Sequence, residues 1–215
     1  MKPLLQSRLV TTSLLAGVIG PILFAIIVIA LGYQWTGYNP LTQTISELGA
    51  TNAPTMGLQA LNFTILGTLT VIFAVGLTIH NGRFRSTSIL VGIYGIGALL
   101  VAGLPCDPGC SFKGTSVVQI AHSLDALISF VALAIAPSLF RRSSKTLQLW
   151  TKTSVWSLRL GIVSMFSLVA YLVITVLSLS PYVGLFQRIF LGLLFAWMVM
   201  IAYKTARMSL IVAGH

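Results

Sequence analysis

Residues 12–31 read TSLLAGVIGPILFAIIVIAL, a run of twenty residues without a single charge. A helix rises 1.5 Å per residue, so about 20 mostly apolar residues cross the hydrocarbon core of a bilayer. Five further stretches of the same kind follow, at residues 56–79, 88–104, 118–140, 158–179 and 183–203, the third being the shortest. The expected fold class is therefore all-α: an integral membrane bundle of six transmembrane helices, forming one transmembrane domain over residues 1–215. A secretory signal is the competing reading of the first stretch, since Lys2 and Arg8 precede it. The apolar run exceeds the usual 7–15 or so residues of such signals, and no clear A-x-A cleavage site follows.

Composition agrees with a lipid solvent. Hydrophobic residues make up 56% of the chain and charged residues 7%, far below the roughly 25% of soluble domains. The net charge of +10 would suggest nucleic acid in a soluble protein. Here the basic residues sit in short segments between apolar runs, and no basic face with interleaved aromatics appears, so the reading is topology and anionic lipid rather than nucleic acid. One side holds Lys2, Arg8, Arg83, Arg85, Arg141, Arg142, Lys145, Lys152, Arg159, Lys204 and Arg207; the other holds only Lys113 and Arg188. The positive-inside rule then puts the N and C termini in the cytoplasm and turns residues 32–55, 105–117 and 180–184 outward. In the longest cytoplasmic connection, Trp150 and Trp156 suit the membrane interface. Gly17, Gly20, Gly92, Gly95 and Gly97 are small residues suited to close helix approach, and Pro21 is expected to kink the first helix.

The three acids, Glu47, Asp107 and Asp125, all fall on or near the outward side, with His122 and Arg188. In residues 39–49, NPLTQTISELG, Asn39 suits an N-cap, Pro40 the first helical position and Gly49 the position past the end. Leu41, Ile45 and Leu48 would share one face of a short interfacial helix, with Ser46 and Glu47 off it. That helix is either a lid carrying Glu47 over an outer cavity or a solvated connection. In residues 105–110, PCDPGC, the Pro108-Gly109 turn brings Cys106 and Cys110 together. An oxidising outer compartment favours a disulfide. A metal site with Asp107 or His122 is the weaker alternative, since two cysteines fall short of the usual four ligands, and no metal is assigned.

Gln119, His122, Asp125 and Ser129 recur at spacings that share one helical stripe. Asp125 would lie roughly 10 Å deep, where an ionisable group faces the bundle interior or a wet cavity. Paired, His122 and Asp125 would be either an acid–base dyad or a structural staple. Arg188 opens the last span; it neutralises an outward acid, holds an anionic headgroup or snorkels to the surface. His80 and His215 lie away from this region. There is no H-E-x-x-H, G-x-S-x-G or P-loop, and no cofactor is indicated.

NPLTQTISELGA, then PCDPGC, then a helix opening with AHSLDA, resembles the bacterial membrane proteins grouped as domain of unknown function family 998, from the first span to at least the fourth. ISELGA, an outward loop and a histidine opening the fourth helix are more distantly similar to the FRAG, DRAM and Sfk-type membrane proteins. The resemblance implies six spans in a cell membrane, the bacterial inner membrane, with the signature loop on the non-cytoplasmic side. It carries motif positions onto Ser46, Glu47, Gly49, Asp107 and His122, and for the wider group implies a link to lipid remodelling or asymmetry, with no established reaction. The expected function is the binding or handling of a lipid or other amphiphile in an outward-facing polar cavity, with membrane lipid as partner. Ser46, Asp107 and Arg188 would bind the ligand. The alternatives are an intramembrane lipid hydrolase using His122 and Asp125 as base and Glu47 as acid, a proton-coupled carrier, and a structural or assembly protein.

Overall fold

The computed structural model of the chain describes residues 2–213, with side chains described from residue 9 to residue 210. His215 and the side chains of Lys2 and Arg8 therefore lie outside the described residues. Six helices make up the fold: α1 (Lys2–Gln34), α2 (Met56–His80), α3 (Arg85–Ala102), α4 (Val117–Ser144), α5 (Thr151–Leu177) and α6 (Val183–Ala213). Each contains a stretch long and apolar enough to cross a membrane. Several helices overrun the apolar stretch that marks them in the sequence: α4 continues through Arg141 and Arg142 to Ser144, and α5 begins before Arg159. A helix satisfies its own backbone groups, so nothing obliges it to stop where the hydrocarbon does. α1 is continuous through Pro21.

Each helix packs against the next in sequence, and α6 closes the ring on α1. Short connections between antiparallel neighbours leave little other choice. The lipid-facing surface is apolar, as the Ile19, Ile22, Ile26 and Ile29 stripe of α1 illustrates. Such a stripe would be a liability in water, but here it meets acyl chains. The interior mixes large apolar groups with buried Thr70, Ser129, Ser164 and Thr205. α2 and α3 touch backbone to backbone: a Cβ on Gly67 would sit 2.6 Å from the Gly95 carbonyl oxygen. This is the small-residue approach by which membrane helices gain van der Waals contact.

The two ends of the bundle differ. At the basic end, Phe84, Phe140 and Trp150 form a ring cluster with centroids 4.8–5.3 Å apart, and Phe140 also meets Trp197 at 6.3 Å. Trp150 is only 3% exposed and packs into the core at this end, whereas Trp156, at 53%, is exposed. Lys204 explains the difference: its ammonium lies 4.7 Å from the Trp150 ring centroid and donates to the Leu149 carbonyl and the Thr153 hydroxyl, fixing the indole inward. The opposite end carries the connections 35–55 and 103–116 and holds the candidate site.

Cys106 and Cys110 are disulfide-bonded there, with Cα atoms 5.2 Å apart. Gly109 takes φ +80°, the left-handed region that the turn requires. Cys106 is fully buried, and its carbonyl accepts the Thr51 N–H at 2.9 Å, tying the two connections together. Closing so short a loop stabilises by about 2 kcal/mol in the chain-entropy account. Replacing both cysteines by Ala should therefore lower Tm in detergent by several degrees. Dithiothreitol should lower the Tm of the wild type and leave the double variant unmoved. A reductant-insensitive wild type would mean that the bridge does not form.

Candidate functional site

The connection 39–49 is not the continuous helix that its capping residues suggest. Only Ser46–Gly49 is helical, as a single 3-10 turn. Tertiary partners take the groups that a helix would have used. The Ile45 N–H donates to Gln187 Oε1 at 2.6 Å, and the Pro40 and Gln43 carbonyls accept from Arg188 at 2.7 and 2.8 Å. Asn39 Oδ1 accepts the Leu41 N–H at 2.9 Å, a local turn competing with helix. Leu41 is exposed, while Ile45 and Leu48 are buried against the core.

Glu47, expected off the buried face, is itself buried at 8% exposure. Its Oε1 accepts the Thr44 N–H at 2.8 Å and the Thr44 hydroxyl at 3.2 Å, and its Oε2 accepts Gln43 Nε2 at 3.2 Å. These bonds fold the connection on itself and turn the neighbouring Ser46 toward the bundle. The backbone of Asp107 is tied down as well: its N–H donates to Gln119 Oε1 at 2.9 Å, and its carbonyl accepts the Cys110 N–H at 2.9 Å.

On α4, Ser116 caps the helix by accepting the Gln119 N–H at 3.0 Å. Gln119, His122 and Ser129 are buried and Asp125 is half-buried. The imidazole is held by the Leu104 carbonyl, 2.7 Å from His122 Nδ1, and not by Asp125. A shared helical stripe brings two residues to one face but leaves each side chain its own rotamer, and this ring turns toward the end of α3. A carbonyl can only accept, so Nδ1 carries a proton and Nε2 is the acceptor of the neutral ring. Asp125 has no hydrogen-bond partner among the described residues; its carboxylate lies beside Gly97 of α3.

Three compartments share Ser46 and His122 as walls. The largest, about 90 Å³, is lined by Met56, Gly57, Ala60 and Phe63 of α2, by Val101 and Ala102 of α3, and by Gly49, Leu104 and Pro105 of the connections. The second, about 30 Å³, runs inward past Tyr94 and Gly97 to Asp125 and Ser129. The third, about 20 Å³, reaches Thr44, Cys110, Ser123 and Gln187. The structure thus joins Ser46, His122 and Asp125 in one chamber. Glu47 and Asp107 do not line any of the three compartments, and the Glu47 carboxylate braces the connection behind them.

Arg188 belongs elsewhere. Its Nη1 donates to the Pro40, Gln43 and Gly184 carbonyls, and its Nη2 to Tyr38 Oη at 2.5 Å. It clamps the connection, neutralises no outward acid and lines a separate groove with Tyr38 and α1. Burial holds the Tyr38 phenol above its ordinary pKa, an effect that the Arg188 guanidinium partly offsets. Tyr38, Gln187 and the Leu104 carbonyl escaped the sequence reading. Gln187, a polar residue inside an apolar span, was the one with a visible signal.

The Cys106 and Cys110 sulfurs and a His122 ring nitrogen lie within 4.8 Å of one another. In the closed bridge the sulfurs are not thiolates. Reduction would supply three donors of the usual four.

Six apolar helices in sequential contact, with a polar chamber at one end, define a multi-pass membrane protein. The chain belongs to the family described as protein of unknown function (DUF998), which it matches over residues 18–204. No curated protein matches the chain, and no solved structure does.

Proposed function

We propose that the protein takes the polar part of a membrane lipid or related amphiphile into the outer compartment of the chamber, walled by Ser46 and His122, the apolar tail staying in the bilayer. The single observation behind this reading is the lining: Met56, Gly57, Ala60 and Phe63 of α2 and Val101 and Ala102 of α3 wall the same compartment as Ser46 and His122, so polar groups stand directly beside apolar transmembrane ones. The size of the compartments supports the division. A water needs about 10–15 Å³, so the inner two, at about 30 and 20 Å³, suit water. The outer one, at about 90 Å³, suits a headgroup fragment or an ester but not a chain. We orient the basic end toward the cytoplasm, following the eleven-to-two distribution of Lys and Arg, which turns the chamber to the outer leaflet.

One observation favours a second reading, ester hydrolysis. His122 has Nδ1 anchored and Nε2 available as an acceptor in the compartments that Ser46 also lines, the posture of a general base.

Mass spectrometry of lipids retained by the purified protein tests the first reading. Ala60→Trp, which fills the outer compartment, should lower retention of the chamber lipid about tenfold, equivalent to 1.4 kcal/mol. His122→Ala should lower it as well. Retention unchanged in both variants would sink the proposal. Turnover of an ester lipid by the wild type, lost in His122→Ala, would establish the hydrolase reading.

A further inference from the structure

A second, larger recess lies on the other side of the bundle. It is a groove of about 400 Å³ bounded by Val28, Ile29, Gly32 and Tyr33 of α1, by Tyr38 and Pro40, and by Arg188 of α6. We propose that this groove holds one anionic phospholipid, with its phosphate on the Arg188 guanidinium and an acyl chain along Val28 and Ile29.

Charge is the first argument. Arg188 is a cation whose protein partners are three carbonyls and a phenol, all formally neutral. The nearby acid is already engaged, since Glu47 accepts from Thr44 and Gln43. Of the five guanidinium donors, the Nε–H and one Nη2–H have no acceptor among the described residues. Two donors on one planar cation are the arrangement that phosphate oxygens accept best.

Depth is the second argument. Arg188 lies five residues into α6, about 7 Å from the helix start at 1.5 Å per residue. Tyr33, Tyr38 and Tyr182 cluster at the same end, Tyr33 being 89% exposed and Tyr182 49%. Exposed aromatics of this kind mark the headgroup level of a bilayer. A cation without an ion-pair partner just beneath that level is costly, and a lipid phosphate would supply that partner. Below it the groove wall turns apolar, with Ile29 60% exposed, which suits the chain of the same molecule.

Preorganisation is the third. The Pro40, Gln43 and Gly184 carbonyls fix the guanidinium before any ligand arrives, so binding does not have to order a long flexible side chain.

The test uses the full chain in mixed-lipid nanodiscs, with native mass spectrometry on release. Phosphatidylglycerol and phosphatidylcholine of matched chains are the probes. The wild type should retain one phosphatidylglycerol with a preference of about tenfold over phosphatidylcholine. Arg188→Gln should abolish the preference. Because Arg188 also clamps the connection, Ile29→Trp is the cleaner variant: it fills the groove without touching that clamp and should cut retention as far. Equal retention of the two lipids by the wild type, or full retention in Ile29→Trp, would overturn the proposal. Displacement of the lipid by millimolar inorganic phosphate would also overturn it, since the chain would then contribute nothing. Ala60→Trp should leave this lipid in place; if it alone removes the lipid, the molecule sits in the chamber and the groove is not a site.

Discussion

Gly97→Ala is expected to destabilise the protein strongly. The added Cβ would fall on the Ser129 hydroxyl, 3.0 Å from Ser129 Cβ and 3.1 Å from Asp125 Oδ1. Both neighbours belong to α4, so the new Cβ presses directly on that helix. Overpacking of a close contact costs about 1–3 kcal/mol, and here the obstruction is a short side chain with little freedom to turn away. Tm in detergent should drop by several degrees. The chamber should suffer with it, because Gly97, Asp125 and Ser129 line the same inner compartment. The mechanism has a specific signature. Ser129→Gly removes the obstructing atoms, so the double variant should be less destabilised than the sum of the singles, with a coupling of about 0.5–3 kcal/mol. Gly192→Ala is the control: nothing lies within 4 Å of its added Cβ. It should be neutral or mildly stabilising, as Gly to Ala is in an open helix. Additive effects at Gly97 and Ser129 would refute the close approach.

The contrast between those glycines shows where sequence reading runs out. Gly95 and Gly97 are visible as small residues in an apolar span, and the class of contact they make follows from that. Which partner each one meets does not: Gly95 faces Val71 and Gly67, and Gly97 faces Ser129. The six spans are legible because a run of about 20 mostly apolar residues leaves few alternatives in any context. The site is less so. Ser46, His122 and Asp125 are identifiable as polar groups at one end, and they do meet around one chamber. The His122–Asp125 hydrogen bond does not form, because the deciding acceptor is a backbone carbonyl, that of Leu104, and every residue has one. The helix expected over 39–49 fails for a related reason. Its capping residues are sound locally, but Gln187 and Arg188, more than 140 positions away, claim its N–H and carbonyl groups. Local propensity is a weak prior against several tertiary hydrogen bonds.

Glu47→Leu should come next in effect, and it separates support from chemistry. The carboxylate is buried and accepts three hydrogen bonds, one from the buried Thr44 N–H. Hydrogen bonds to a charged acceptor contribute about 1.5–3 kcal/mol, and an orphaned buried N–H costs about 1–3 kcal/mol. Removing a buried charge returns part of this, since its desolvation no longer opposes folding. A net loss of about 2–3 kcal/mol follows. The connection should loosen, seen as faster amide exchange at Thr44 and Ile45. Glu47→Gln is milder. Its amide oxygen can still accept the Thr44 N–H, while its NH₂ opposes that of Gln43, so one bond is lost at about 1 kcal/mol. If Glu47 acts only as a support, lipid retention in the chamber should fall in step with stability across the two variants. An acid that takes part in chemistry behaves differently: Glu47→Gln would keep the fold and lose turnover outright. Because Glu47 faces Thr44 and Gln43 and is absent from the chamber wall, the parallel decline is the expected result.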